Sequence, residues 1–128
     1  MAEARKNLTK LDPIWDQILH EAEAAIAQEP LLGGLIHSSI LHHKSIEQAL
    51  AYRTSLKLAS GEMSEQILRE ICDEAYRAAP QLAIDARADI AAVYDRDPAC
   101  HRFLQPLMFF KGFQAIQAYR VAHWLWSQ

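Results

Sequence analysis

The spacing of apolar residues along the chain predicts helices. The clearest pattern lies between residues 64 and 79, where apolar side chains recur with a 3.6-residue period and charged residues fill the opposite side. A second pattern begins at Asp12 and Pro13, because an aspartate can cap the first free amides and proline fits the first helical turn. It predicts a helix over residues 13–28. No segment shows the strict alternation that predicts a strand.

Helix start and stop signals predict four more helices. Gly33 and Gly34 weaken the first of them, whereas Ser45 and Gln48 form a capping-box pattern at the start of the second. The four are a helix after Pro30, a helix from Ser45 to the stop at Gly61, a helix from Pro80 to Asp97, and one aromatic helix from Pro106 to the last residues. We therefore expect an all-α protein of about six helices.

Composition and charge exclude several classes of protein. Among 128 residues, 13 are basic and 16 acidic, so the formal net charge is −3 and nucleic acid is not an expected partner. The N-terminal residues lack the apolar run of a secretory signal, and Lys111 interrupts the most apolar stretch, so we expect no membrane span. Cys72 and Cys100 have no ligand-like spacing and fit free thiols, which favours a cytoplasmic location.

The histidines and cysteines give no convincing catalytic or metal site. His37, His42 and His43 are close in sequence, but no acid or thiol lies beside them in a ligand spacing, so we expect no bound metal. Cys72 falls on the apolar side of its helix, and Cys100 is expected to be more exposed but lacks a neighbouring activating residue. The sequence also contains none of the short glycine, serine or histidine motifs of common enzyme classes.

One polar corner remains as a candidate site, at the end of the helix that begins at Pro80. It contains Asp95, Arg96, Asp97 and Pro98. In a purely structural interpretation, Asp97 caps the turn that begins at Pro98, while Asp95 and Arg96 face water. The alternative interpretation is that the carboxylate at this corner has a functional role. A carboxylate has two oxygens, so the two interpretations are compatible.

Two stretches, RDPAC at 96–100 and PLMFFKGFQAIQAYRVAHWLW at 106–126, carry a long and specific pattern. Upstream, IWDQILHEAEA at 14–24, the pair EP at 29–30 and DEAY at 73–76 follow in a matching order. Together these residues resemble the N-terminal helical domain of bacterial serine acetyltransferases and its junction with the catalytic domain. The resemblance covers essentially the whole chain.

The resemblance implies a parent enzyme larger than these 128 residues. In the family, a left-handed parallel β-helix of hexapeptide repeats follows the helical domain and carries the catalytic histidines and the acetyl-CoA cleft. The implied reaction transfers acetyl from acetyl-CoA to the hydroxyl of L-serine and yields O-acetylserine for cysteine biosynthesis. We therefore expect no catalytic residue, cofactor or metal in this segment, and no activity from it alone. The rich aromatic helix runs to Gln128 without a stop signal, so we expect further sequence after it.

The resemblance also assigns substrate-binding residues. Asp97 matches the family aspartate that reaches the ammonium of bound serine, and Pro98 is expected to shape the same pocket. Cysteine, the feedback inhibitor in this family, would compete for that pocket. Asp95, Arg96 and Asp89 are weaker candidates.

Assembly is the second implied role. In the family, helical domains pack trimer against trimer, so the resemblance implies a homo-oligomer, with O-acetylserine sulfhydrylase as a partner of a tail absent from this sequence. We expect residues 1–105 to form a helical assembly domain and residues 106–128 an aromatic helix leading toward the β-helix. The alternative function is a stand-alone helical oligomerisation or adaptor module without catalysis, which would make the likeness over residues 96–126 a coincidence.

Overall fold

The structure, a computed structural model, describes residues 12–128. Seven α-helices and no strand occur in this part of the chain, so the predicted all-α class is confirmed. A 3-10 turn, Pro30–Leu32, precedes α2, and a π turn, His37–Leu41, continues it. The helices are α1 Pro13–Gln28, α2 Gly33–Ile36, α3 Ile46–Leu58, α4 Glu65–Ala78, α5 Gln81–Arg96, α6 Leu104–Phe109 and α7 Lys111–Trp126.

Two predictions from the sequence are not tested by the structure. The predicted absence of a secretory signal falls partly on residues 1–11, which lie outside it. The division of the chain at residues 105 and 106 also stays a prediction. No helix of residues 12–128 is both long enough and apolar enough to span a lipid bilayer.

Side-chain caps begin three of the long helices. Asp12 Oδ1 accepts a hydrogen bond from Trp15 N at 3.2 Å, and Ser64 Oγ accepts one from Ile67 N at 3.3 Å. Ser45 Oγ accepts from Gln48 N at 3.2 Å, while the Gln48 amide oxygen accepts from Lys44 N, one residue before the amide expected in a capping box. These caps confirm the predicted starts of α1, α3 and α4.

Helix α3 lies at the centre of the fold. It packs along α4 and also contacts α5, α6 and α7. One apolar core therefore joins all the long helices. Six large apolar side chains are almost completely buried in the structure: Ile18, Ile40, Ile46, Leu50, Ile90 and Leu107.

The segment after α1 is less regular than a single helix. In the π turn, His42 N donates to His37 O at 2.8 Å, which spans five residues where an α-helix spans four. The Ser38 carbonyl accepts instead from the His43 ring Nε2 at 2.9 Å. Because the extra residue widens the turn, Ser39 and Ile40 both point into the core.

The prediction of one helix after Pro106 was wrong, because the structure has two helices separated at Phe110. Phe110 has extended backbone angles, φ −91° and ψ 106°, between α6 and α7. The extended backbone at Phe110 leaves carbonyls near the end of α6 without the N–H donors of a continuous helix. Side chains donate to these carbonyls instead. Arg53 Nη2 donates to Met108 O at 2.8 Å, and Gln114 Nε2 donates to Leu107 O and Met108 O at 3.2 and 3.1 Å.

Candidate functional site

The polar corner at the end of α5 borders two connected depressions. The first is a groove of about 390 Å³ between α5 and the start of α7, and the second is a shallower depression of about 410 Å³ beside it. Asp97 borders both of them, and Pro98 borders the second. We call the first one the α5–α7 groove, and it is lined by Asp89, Ala92, Val93, Asp97, Phe110, Gly112, Phe113 and Ile116.

Asp97 ends α5 and caps the following turn with one of its oxygens. Its Oδ1 accepts a hydrogen bond from Ala99 N at 2.9 Å, and its backbone carbonyl accepts one from Cys100 N at 3.0 Å. The side chain is exposed, and no donor among residues 12–128 forms a hydrogen bond with Oδ2. The capping interpretation is thus confirmed, and the second oxygen is available to a ligand cation.

Asp89 is the other carboxylate of the α5–α7 groove, and it is already neutralised. Its Oδ2 accepts a hydrogen bond from Gln117 Nε2 at 2.8 Å and pairs with Arg120 Nη1. The hydrogen bond from Arg120 to Asp89 raises the pKa of that guanidinium. In the groove, Asp97 is therefore the carboxylate that forms no ion pair with the described residues. This pair also joins α5 to α7, the two walls of the groove.

Asp95 and Arg96 remain weak candidates. Both side chains are exposed, and neither forms an ion pair within the described part of the chain. Arg96 borders the shallower depression beside Asp97, whereas Asp95 borders neither.

The loop from residue 97 to residue 103 is rigidly hydrogen-bonded although it contains no helix. The amide oxygen of Gln105 accepts from His101 N and Arg102 N, and the Cys100 thiol donates to Arg102 O at 3.3 Å. The carboxylate of Glu21, on α1, accepts from the next two amides, those of Phe103 and Leu104. We call residues 97–103 the Asp97 loop.

The cysteines are poor nucleophiles. Burial, with a smaller contribution from Asp73, raises the pKa of the Cys72 thiol to about 11. Cys100, which we expected to be more exposed, is also buried, and burial raises the pKa of its thiol. A thiol protonated at neutral pH does not attack a thioester efficiently.

The histidines are the other candidates for catalysis or metal binding. His43 is buried, and its pKa is lowered mainly by desolvation. None of the six histidines lines the α5–α7 groove. Across residues 12–128, no cluster of three histidine, cysteine or acidic side chains is arranged to hold a metal ion.

A third depression lies between α3 and α4, and its charged groups are satisfied by neighbours. Arg69 pairs with Asp73 at 3.2 Å, and Arg77 pairs with Glu74. Its volume is about 390 Å³, and its lining residues are Ser45, Glu47, Gln48, Arg69, Asp73, Tyr76 and Arg77. Asp97 therefore remains the better candidate for contact with a ligand.

Sequence reasoning located one wall of the groove and missed the other. Asp97 could be recognised as a candidate because it lies in a charged, proline-containing turn between two helices. The opposite wall, formed by Phe110, Gly112, Phe113 and Ile116, depends on the unexpected break at Phe110. The contact of Glu21 with the Asp97 loop spans more than 80 residues and has no local signature.

Comparison with known proteins identifies the family. The family described as "Serine acetyltransferase, N-terminal" matches residues 14–118. Serine acetyltransferase of Salmonella typhimurium is 42% identical over 119 residues, which is 93% of this chain and 44% of the relative. The chain thus spans less than half the length of that relative.

Two solved structures show the same fold. Serine acetyltransferase from Brucella abortus in complex with coenzyme A superimposes with a TM-score of 0.88 at 44% identity, over 94% of this chain and 48% of that one. The Neisseria gonorrhoeae enzyme in complex with serine gives 0.84 at 42% identity, over 88% and 47%. The chain belongs to the family of serine acetyltransferase N-terminal domains.

Proposed function

We propose that this chain is the N-terminal part of a serine O-acetyltransferase that uses acetyl-CoA as co-substrate. The family match over residues 14–118 carries this proposal. The relatives solved with coenzyme A and with serine support the choice of both substrates. The product, O-acetylserine, is an activated precursor for cysteine biosynthesis.

The proposed reaction needs a base that this segment does not supply. The serine hydroxyl oxygen attacks the thioester carbonyl, its proton passes to a general base, and the C–S bond breaks to release coenzyme A as a thiol. In the serine acetyltransferase family the base is a histidine of the β-helix domain that follows the helical domain, and we propose the same arrangement here, since no histidine borders the groove. We therefore expect the isolated 128 residues to show no acetyl transfer.

We further propose that Asp97 Oδ2 accepts a charge-assisted hydrogen bond from the ammonium of serine. Its Oδ1 is used by Ala99 N, and the neighbouring Pro98 restricts the backbone of the corner. A hydrogen bond to a charged group contributes about 1.5 to 3 kcal/mol, which is roughly a ten- to hundredfold effect on binding. Inhibitory cysteine, an amino acid with the same ammonium, would use the same oxygen.

The test is serine saturation kinetics on the intact enzyme with Asp97→Asn. Asparagine keeps an oxygen for Ala99 N but removes the charge, so the turn is preserved while ammonium binding is weakened. We expect the serine KM to rise about tenfold or more, with the acetyl-CoA KM unchanged. Asp95→Asn is the matched control, because Asp95 is an exposed acid two residues away that borders neither depression.

Two results would count against this proposal. An unchanged serine KM in Asp97→Asn would reduce Asp97 to a turn cap. An intact enzyme that acetylates no serine at all would favour the adaptor function and reject the acetyltransferase.

Assembly is the second proposed role, and an exposed apolar surface after α1 favours it. Leu31 is 92% exposed, and Leu32 and Leu35 are also exposed. Such side chains are normally covered by a partner when they cluster. We propose that this surface contributes to a homo-oligomer, a dimer of trimers in the intact enzyme, in the cytoplasm.

Light scattering of the wild type and of the double variant Leu31→Ser/Leu35→Ser tests this role. The variant should show a smaller mass, and equal masses would reject the role of this surface.

A further inference from the structure

Six consecutive backbone amides around the Asp97 loop all have hydrogen-bond acceptors. This is unusual for a segment without regular structure, where water commonly satisfies part of the backbone. The donors run from Ala99 N to Leu104 N, and their acceptors are Asp97 Oδ1, the Asp97 carbonyl, Gln105 Oε1 twice, and the two oxygens of Glu21.

Glu21 is the one acceptor in this set that comes from a distant part of the chain. Its Oε2 lies 3.1 Å from Phe103 N and its Oε1 lies 3.1 Å from Leu104 N, positions 82 and 83 residues later. The other four amides are satisfied by the loop itself or by Gln105 in the first turn of α6. Glu21 thus fastens the far end of the Asp97 loop to α1.

Two further contacts hold this end of the loop, one to α5 near Asp97 and one to α1. The Phe103 ring stacks on Tyr94, with centroids 4.3 Å apart, and Tyr94 lies on α5 three residues before Asp97. Arg102 Nη2 also donates to Gln28 Oε1 of α1 at 3.2 Å. Only five residues separate Asp97 from Phe103, so displacement of Phe103 must be absorbed within a short, fully bonded segment.

We propose that Glu21 is a positioning residue, which holds the Asp97 loop so that Asp97 Oδ2 is directed toward the ammonium of the substrate. This inference rests on the role proposed above for Asp97. Glu21 itself touches no substrate in this scheme. Its carboxylate is suited to the task because two oxygens on one rigid group can accept from two adjacent amides.

The experiment compares Glu21→Gln and Glu21→Met with the unmodified intact enzyme. We expect Glu21→Met to raise the serine KM about three- to tenfold, because both amides lose their acceptor, with the acetyl-CoA KM unchanged. Glu21→Gln keeps one amide oxygen and should show a smaller rise. Hydrogen exchange of a peptide covering residues 99–104 should become faster in both variants.

A destabilised control separates positioning from general loss of stability. Arg87→Met removes an ion-pair network between α1, α3 and α5 that does not touch the Asp97 loop. It should lower stability but leave the serine KM unchanged. The inference is overturned if Glu21→Gln, which preserves the size of the side chain, has wild-type serine KM and wild-type exchange at residues 99–104. The role of Asp97 is judged separately by Asp97→Asn.

Discussion

Arg87 binds the residue that caps α1. Its Nε and Nη2 donate to Asp12 Oδ1 and Oδ2 at 3.1 and 2.6 Å, and the same Asp12 Oδ1 accepts from Trp15 N. Arg87 Nη2 also donates to Glu47 Oε1 of α3 at 2.9 Å. One guanidinium therefore joins the starts of α1 and α3 to the middle of α5, and its hydrogen bond to Asp12 raises its pKa.

Replacing Arg87 should destabilise the domain measurably. Arg87→Met leaves Asp12 and Glu47 without their shared cation, so we expect the free energy of unfolding to fall by about 1 to 2 kcal/mol. Urea denaturation would measure the change. Arg77→Met is the control, because Arg77 is exposed and pairs with Glu74 within one helix, where the loss should stay below about 0.5 kcal/mol. Equal losses in the two variants would contradict the structural role of Arg87.

The pair of Asp89 and Arg120 should show energetic coupling between α5 and α7. In a double-mutant cycle with Asp89→Ala and Arg120→Ala, we expect a coupling energy of about 1 kcal/mol, because the pair is half-buried and Gln117 also donates to the same carboxylate. The pair of Arg69 and Asp73 lies within one helix and its carboxylate is more exposed, so it serves for comparison, with about 0.3 to 0.5 kcal/mol. Additive effects of the two alanine substitutions would reject the coupling.

His43 should make the domain less stable as the pH falls. Burial lowers the pKa of His43 below its ordinary value of 6.5, so the unfolded chain binds a proton more readily than the folded one. The stability contributed by neutral His43 is present above pH 6.5 and is lost as the pH falls toward the folded-state pKa. Unfolding free energies between about pH 7.5 and pH 5 should thus decline less in His43→Gln than in wild type.

The exposed His20→Gln controls for the removal of one histidine from the chain. Parallel pH profiles for His43→Gln and wild type would show that His43 contributes nothing to this dependence.

Cys72 should resist thiol reagents in the folded protein. Its side chain is 1% exposed and its pKa is about 11, so at pH 8 roughly one molecule in a thousand carries the thiolate. We expect a chromogenic disulfide reagent to react with Cys72 in Cys100→Ala only as fast as the protein opens. Addition of urea should release one fast-reacting thiol. Rapid labelling of native Cys100→Ala would contradict the burial of Cys72.

The sequence was sufficient to predict a helix boundary where residues beside that boundary determine it. Asp12 and Ser45 cap α1 and α3, and Asp97 with Pro98 ends α5, all as predicted. Each of these boundaries depends on groups within three residues of the helix end. Short-range hydrogen bonds and backbone restrictions can be read from adjacent residues.

The break at Phe110 could not be predicted in that way. Carbonyls of α6 are satisfied by Arg53, which lies 55 positions earlier, and by Gln114, which looks like an ordinary helical residue. The same limit applies to the candidate site. Asp97 could be selected from its corner, but Glu21 and the wall beside Phe110 become part of the site only through the tertiary fold.

The break at Phe110 also determines the direction in which α7 leaves α6. At about 1.5 Å per residue, the 16 residues of α7 extend about 24 Å from this corner. A rotation of about 10° at Phe110 would therefore displace the far end of α7, near Trp126, by about 4 Å. Whatever is joined to that end moves with it, so the precision of its placement depends on how firmly Arg53 and Gln114 hold the last carbonyls of α6.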